Sequence, residues 1–464
     1  MGWQAFVSIL VLLASTSSAL PKPTATGHKA LVLISFDGFR YDTLNETLSP
    51  SITRWAEGGT VFENGVNSQA ITFTAPNHLS IVTGLYEDAH GIIGNYFFDS
   101  AKKKFYDVYN LSGIAGIVKA SQDPAWYEGV GDTIWESNRK GGGKSLVLHW
   151  PIGDVVNKSD TAFYPWPSDG DLSRWTKEVD QMVADIEAGV NFVAWYVSEP
   201  DYTLHAQGYY HGGHYRRVMA QLDALFQYFI GLLKARGLFD STDIVLTADH
   251  GHAEISGLNA VLCMDHFITG QIGWDYQVSD HSIHPSSKEQ ALAMFENLTR
   301  AVTEHNIPVK IMWKKDIPDS WHYSHSSRVG EIVVDPAIGA DARFLCPWKD
   351  AESFHSSTHG HDPHAKEMRA VLALRGPSFA EGVKIASIPE NIDLYPLMAH
   401  VLGVDPAPNN GTTDSVRGAL RGGVANVTNA GISSFWLILP IGALILVAIV
   451  WAIKKLRGKK RRLE

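Results

Sequence analysis

The chain has 464 residues, 45% hydrophobic and 19% charged, with only two Cys. That apolar content excludes a mainly disordered chain, and two cysteines exclude a disulfide-stapled miniprotein. A net charge of −10, from 39 Lys+Arg against 49 Asp+Glu, has the wrong sign for a surface that binds DNA or RNA polymers. The length suggests two or three domains, with one large α/β domain as the alternative.

Ala5 to Ala14 is a short apolar run, followed by the small residues Ser17 and Ala19. It reads as a signal peptide over residues 1–19, although the usual positive n-region is missing. Continuous apolar runs follow at Ala30–Phe36, Ser145–His149, Phe192–Val197, Asp243–Ala248, Glu331–Val334 and Ala370–Leu374. Strands buried on both faces of a parallel sheet have this pattern. Between them, Leu172–Ile186 is a weaker helical candidate. Tyr215–Arg236 is a stronger one, with Met219, Leu222, Leu225, Phe226, Phe229, Leu232 and Leu233 on one face and Gly237 as its stop. Strands alternating with helices predict a doubly wound α/β fold with a mainly parallel sheet and helices on both faces.

This α/β unit is expected over residues 20–405. Residues 406–434, rich in Pro, Asn, Gly and Thr, read as a stalk. Phe435–Ile453 is nineteen uncharged, mostly apolar residues, nearly enough for a transmembrane helix at about 1.5 Å per residue. Residues 454–464 form a basic tail with seven basic residues and one acid, which leaves 32 basic and 48 acidic residues in the rest of the chain. The positive-inside rule puts that tail in the cytoplasm, so a type I plasma-membrane protein with an extracellular domain is expected. Six N-x-[ST] sequons, at Asn45, Asn110, Asn157, Asn297, Asn410 and Asn426, agree with a glycosylated ectodomain. Cys263 and Cys346 either form one disulfide there or stay as buried thiols.

Three strand candidates run directly into chemistry-bearing residues. Phe36 precedes Asp37, Val197 precedes Ser198-Glu199-Pro200-Asp201, and Ala248 precedes Asp249-His250. Ligands bind at the carboxyl ends of strands in open parallel sheets, so the repeated placement predicts one site built from distant segments. Asp201 and His205 are one helical turn apart, and His359 opens the run His359-Gly360-His361-Asp362. Mixed imidazole and carboxylate ligands without Cys suit zinc or a related first-row ion. Thr74, in Thr74-Ala75-Pro76-Asn77-His78, reads either as a helix N-cap or as a nucleophile activated by a metal.

These segments together resemble the ectonucleotide pyrophosphatase/phosphodiesterase family of the alkaline phosphatase superfamily. The resemblance rests on Ser35–Arg40, Thr74–Gly84, His90–Asn95, Trp150-Pro151, Glu199–Asp201 with His205 and Gly208, Ala248–Gly251, Ile317-Pro318 with Trp321–Tyr323, and His359–Asp362, in family order. It implies an alkaline-phosphatase-like fold and two Zn2+ ions. Asp37, Thr74, Asp249 and His250 would hold one ion; Asp201, His205 and His359 would hold the other. Thr74 would be the nucleophile, forming a phosphothreonine intermediate, and Asn95 would stabilise a phosphoryl oxygen. His78, His252, His322, His361 and His364 are not carried over as ligands. The implied substrates are small-molecule nucleotides such as ATP, ADP, NAD and dinucleoside polyphosphates, giving nucleoside 5′-monophosphates.

The chain departs from the family pattern at Ala75, where an aromatic residue usually offers a stacking face. Tyr164 and Trp166 are candidates to replace it, against a core-packing role. The sulfatase nucleophile motif is absent, and no Arg or Lys lies between Arg54 and Lys102, which favours a diester over a monoester. A choline-phospholipid headgroup phosphodiesterase and a catalytically silent surface receptor on the same fold are the alternative functions.

Overall fold

The computed structural model describes residues 29–108, 123–156, 162–164, 172–210, 212–344 and 356–422. An eight-stranded sheet organises them: β1 (Ala30–Phe36), β2 (Thr60–Phe62), β3 (Ser145–Leu148), β4 (Ala162–Tyr164), β5 (Phe192–Val197), β6 (Thr242–Thr247), β7 (Leu372–Arg375) and β8 (Val383–Ile385). The strand order is β8-β2-β7-β6-β1-β5-β3-β4. β1 pairs in parallel with both β5 and β6, and β3 pairs in parallel with β5 and β4. Every residue of β1, β5 and β6 is buried, as the unbroken apolar runs require when helices cover both faces.

The expected strand at Ala370–Leu374 is β7, but it runs antiparallel to β6 and β2. Continuous burial cannot report direction, since a strand covered on both faces looks alike either way. The helix His214–Ala235 packs against the helices Leu172–Glu187 and Pro50–Glu57. Its Phe229 meets Trp195 of β5 edge-on, with ring centroids 6.0 Å apart. The helix Leu394–Leu402 packs against the helices Thr74–Thr83 and Ile134–Lys140.

Two expectations are corrected. Glu331–Val334 does not join the main sheet. It falls in Ile332–Pro336 of a separate antiparallel sheet, with Tyr276–Ser279, Ser282–Pro285 and Val309–Trp313. That sheet and the helix Lys288–Glu304 build a second apolar core around Leu262, Ile283, Leu298 and Ile332. The chain therefore has a second packing unit within its catalytic region.

A stalk was expected from residue 406, yet residues 406–422 pack onto the domain. Val416, Ala419 and Leu420 are buried, Asn410 N–H donates to the Gly84 carbonyl, and Arg421 N–H donates to the Ser378 carbonyl. Pro and Gly made this segment look like a linker, yet three spaced apolar residues are enough to dock it. Among the described residues no helix is long and apolar enough to cross a membrane. The candidate signal at 1–19, the span at Phe435–Ile453 and the basic tail lie outside the described residues.

Candidate metal and phosphoryl-transfer site

The carboxyl ends of β1, β5 and β6 converge, as their parallel pairing demands. Asp37 leaves β1, and its N–H donates to the Val197 carbonyl of β5 at 3.0 Å. Asp201 opens the short helix Asp201–Gln207, and its N–H donates to the Asp37 carbonyl at 3.0 Å. Asp249 and His250 follow β6 after Ala248. His359 arrives from the two-residue strand Ser357–Thr358, which pairs with Ala253–Glu254 just past His250.

Two donor groups result, each with ligand atoms within 4.8 Å of one another: Asp37, Asp249 and His250, and Asp201, His205, His252 and His359. They adjoin, since the His250 and His359 rings stack with centroids 3.7 Å apart. The first group is closed, with side-chain exposures of 0–1%; the second is open, with His205 at 38%. His250 Nε2 lies 3.0 Å from Asp249 Oδ2 and 3.7 Å from Asp37 Oδ1. His205 and His359 Nε2 lie 3.4 and 3.6 Å from Asp201 Oδ1. Donors about 2.0 Å from a shared tetrahedral ion stand roughly 3.3 Å apart, so these separations are those of co-ligands.

The decisive observation is the bonding of the closed group. Asp37 Oδ1, Asp249 Oδ2 and His250 Nε2 are buried without a hydrogen-bond partner. Their other polar atoms are committed: Asp37 Oδ2 accepts from Tyr196 Oη at 2.6 Å, and Asp249 Oδ1 accepts from Gly38 N–H at 3.2 Å. His250 Nδ1 donates to the Gly251 carbonyl at 3.0 Å, which leaves the Nε2 lone pair toward the carboxylates. Buried acceptors without donors cost free energy unless a cation sits among them, so these residues fit a metal. His359 follows the same pattern, with Nδ1 2.6 Å from the Thr72 carbonyl.

The charges agree. Burial and then the neighbouring Asp249 push the Asp37 carboxyl well above its usual range. Burial would also raise Asp201, but His205, His252 and His359 together hold it well below. His252 was expected to be structural, and its geometry gives it a definite part. Its Nε2 is 2.6 Å from Asp201 Oδ1, hydrogen-bonding distance rather than co-ligand spacing, and its Nδ1 is 3.0 Å from Ser357 Oγ. It orients the Asp201 carboxylate.

Thr74 is the first residue of the helix Thr74–Thr83, whose N-cap is Phe73, so Thr74 is not the cap. The Phe73 side chain cannot cap. Instead Asn95 Oδ1 accepts the Ala75 N–H at 2.8 Å. That bond leaves the Asn95 amide group as a donor. His78 lies below, with Nδ1 2.8 Å from the Thr74 carbonyl and Nε2 2.8 Å from Ser35 Oγ. His361 Nε2 contacts the Ala340 carbonyl, His322 stacks on Tyr86, and His364 is exposed.

A cavity of about 750 Å³ opens over these groups, lined by Thr74, Asn95, Asp201, His205 and His359. Tyr96, Tyr202, Phe344, Arg343 and Asp280 also line it. None of these five was singled out from sequence; Asp280 comes from the antiparallel sheet, and Arg343 and Phe344 from the end of a parallel strand pair beside it, all far beyond Thr74 in the chain. Ala75 is fully buried and not on the wall, while Phe73 is, packed edge-on against His281 and His359. The Tyr164 side chain and Trp166 lie outside the described residues, as do Asn110, Asn157, Asn426 and Cys346. Cys263 is disulfide-bonded. Asn410 is exposed, and Asn45 and Asn297 are partly so.

Strand-end carboxylates and imidazoles in a metal-binding arrangement, with a hydroxyl at a helix start beside them, are consistent with a hydrolase of phosphate esters and anhydrides. Residues 31–362 match the type I phosphodiesterase / nucleotide pyrophosphatase family model, and the chain belongs to that family. It is similar to the mouse bis(5′-adenosyl)-triphosphatase enpp4, at 33% identity over 82% of this chain and 79% of the relative. It is 25% identical to human ectonucleotide pyrophosphatase/phosphodiesterase family member 5, over 91% and 84% of the two chains. A solved structure of murine family member 5, an inactive variant with a threonine replaced by alanine and in complex with AMP, superposes with a TM-score of 0.73. It shares 26% identity and covers 85% of this chain and 100% of its own. The chain is a nucleotide pyrophosphatase/phosphodiesterase, a hydrolase of phosphodiester and anhydride bonds.

Proposed function

We propose that Thr74 is the nucleophile of a zinc-dependent ectoenzyme that cleaves phosphodiester and pyrophosphate bonds in extracellular nucleotides. Asp37, Thr74, Asp249 and His250 would hold one zinc ion and Asp201, His205 and His359 the other. The meeting of orphaned donors Asp37, Asp249 and His250 beside the Thr74 cavity carries this reading. Ions held there would favour deprotonation of the Thr74 hydroxyl and neutralise phosphoryl oxygen charge. Thr74 Oγ forms the bond to phosphorus as the bond to the leaving-group oxygen breaks. Water then displaces Thr74 Oγ from the phosphothreonine diester, releasing a nucleoside 5′-monophosphate. The Asn95 amide donates to a phosphoryl oxygen and favours the transition state.

The substrate class covers ATP, ADP, NAD and dinucleoside polyphosphates. It is supported by the triphosphatase name of the enpp4 relative and by the AMP complex of murine family member 5. With Ala75 buried, Tyr96, Tyr202 or Phe344 offers the ring face for a base; Tyr202 is 73% exposed. Arg343, paired with Asp341 at 2.5 Å, is the cation on the described wall and suits an outlying phosphate. The domain faces the extracellular side of a type I membrane protein, in keeping with the exposed sequon Asn410.

Thr74→Ala should lower hydrolysis of a nitrophenyl nucleotide ester by about 10³-fold or more, with zinc per chain retained. Unchanged turnover refutes the nucleophile assignment. Turnover of nitrophenyl phosphocholine alone by the wild type refutes the nucleotide reading.

A further inference from the structure

Asn95 is held from two sides. Its carboxamide oxygen takes the Ala75 N–H at the start of the nucleophile helix. Its backbone is held by Asp280, from the turn joining strands Tyr276–Ser279 and Ser282–Pro285 of the antiparallel sheet. Asp280 Oδ2 accepts the Tyr96 N–H at 2.8 Å, across 184 residues. The Asp280 N–H returns to the Tyr96 carbonyl at 2.7 Å. Gly94 makes the approach feasible: a Cβ there would lie 2.8 Å from Asp280 Oδ2. A carboxyl on the cavity wall that no cation among the described residues pairs with is costly. Burial lifts it to about 7, and the Tyr96 N–H bond offsets only part of that.

We propose that Asp280 is the positioning residue for Asn95, clamping the Asn95–Tyr96 backbone so that the carboxamide stays docked on the Thr74 helix and its amide group faces the cavity. Through this clamp the antiparallel unit supports phosphoryl transfer without touching the metals or the substrate phosphorus. The proposal rests on the reading of Asn95 as the phosphoryl-oxygen donor.

The test uses the full chain and four variants: Asn95→Ala, Asp280→Ala, Asp280→Asn and the double alanine variant. Asp280→Ala should lower kcat for a nitrophenyl nucleotide ester by about tenfold or more, with KM changed less than about threefold. Asp280→Asn keeps one carbonyl acceptor and should recover a large part of the loss. On the Asn95→Ala background, Asp280→Ala should cost less than about twofold more. Losses that multiply independently, or a change confined to KM, overturn the proposal while leaving the nucleotide reading intact. Amide hydrogen exchange in the 92–98 peptide supplies a readout independent of turnover. It should quicken in Asp280→Ala, and unchanged exchange overturns the clamp even if the wild type hydrolyses no nucleotide, the outcome that would instead sink the substrate reading.

Discussion

His90 is a buried imidazole whose ring nitrogens are both used inside the protein. Nδ1 accepts the Ile92 N–H at 3.1 Å, so Nε2 carries the proton, which goes to Ser80 Oγ at 3.0 Å. A second proton, on Nδ1, would face the Ile92 N–H rather than an acceptor. Burial, and then the charge of Arg328, lower its pKa to about 3. Between the usual imidazole value of about 6.5 and that lowered value, the unfolded chain binds a proton that the native ring refuses. Stability from this group is full above about 6.5 and is lost as pH falls toward 3, by up to about 1.4 kcal/mol per pH unit. Urea unfolding at about pH 7.5 and pH 5 should show a smaller pH-linked loss in His90→Asn than in the wild type. Equal losses would refute the assignment of that proton to His90. The convergence of single residues was legible where type and strand-end position coincide, as at Asp37, Asp249 and His250. The roles of His252 and Asp280 were not, because each acts through a hydrogen bond to a residue far away in the chain.

The helix His214–Ala235 shows what periodicity delivers at the scale of an element. Its apolar face was readable, and the structure buries Met219, Leu222, Leu225, Phe226, Phe229 and Leu233. Phe229 is fully buried and meets both Trp195 and Phe226. Phe229→Ala should destabilise the domain by about 3–5 kcal/mol, seen as a lower urea midpoint with an unchanged slope. A cost under about 1 kcal/mol would mean that the helix does not anchor the sheet. The helix Thr74–Thr83 behaves differently. All ten of its residues are buried, so no amphipathic stripe marks it, and its start is set by Asn95 rather than by a local cap. The Glu331–Val334 run was recognisable as a strand, but its sheet was not, since partner choice is a long-range property.

For the whole molecule, cation binding and folding should be linked. Asp37 and Asp249 are brought together with unbonded buried oxygens, a state that a bound ion relieves. Ion at 100 times its dissociation constant adds about 2.7 kcal/mol to stability. Chelation should therefore lower the melting temperature by several degrees, and added zinc should restore it. An identical melting curve with and without chelator would sink the metal assignment. The acidic chain also takes on a clearer meaning: an anionic nucleotide meets local positive charge from the proposed ions and Arg343, rather than from a basic surface.

By itself the sequence determined the α/β class, the parallel strands β1, β5 and β6, and the carboxylates and imidazoles at their ends. Burial and strand period are local and leave their mark residue by residue. Only the tertiary structure decided the antiparallel direction of β7, the separate unit around Ile283 and Ile332, and the docking of residues 406–422. It also decided which cavity wall faces Thr74 and which groups hold Asn95 and Asp201. Those features depend on contacts between segments far apart in the chain, and the period and composition of either segment alone do not encode its partner.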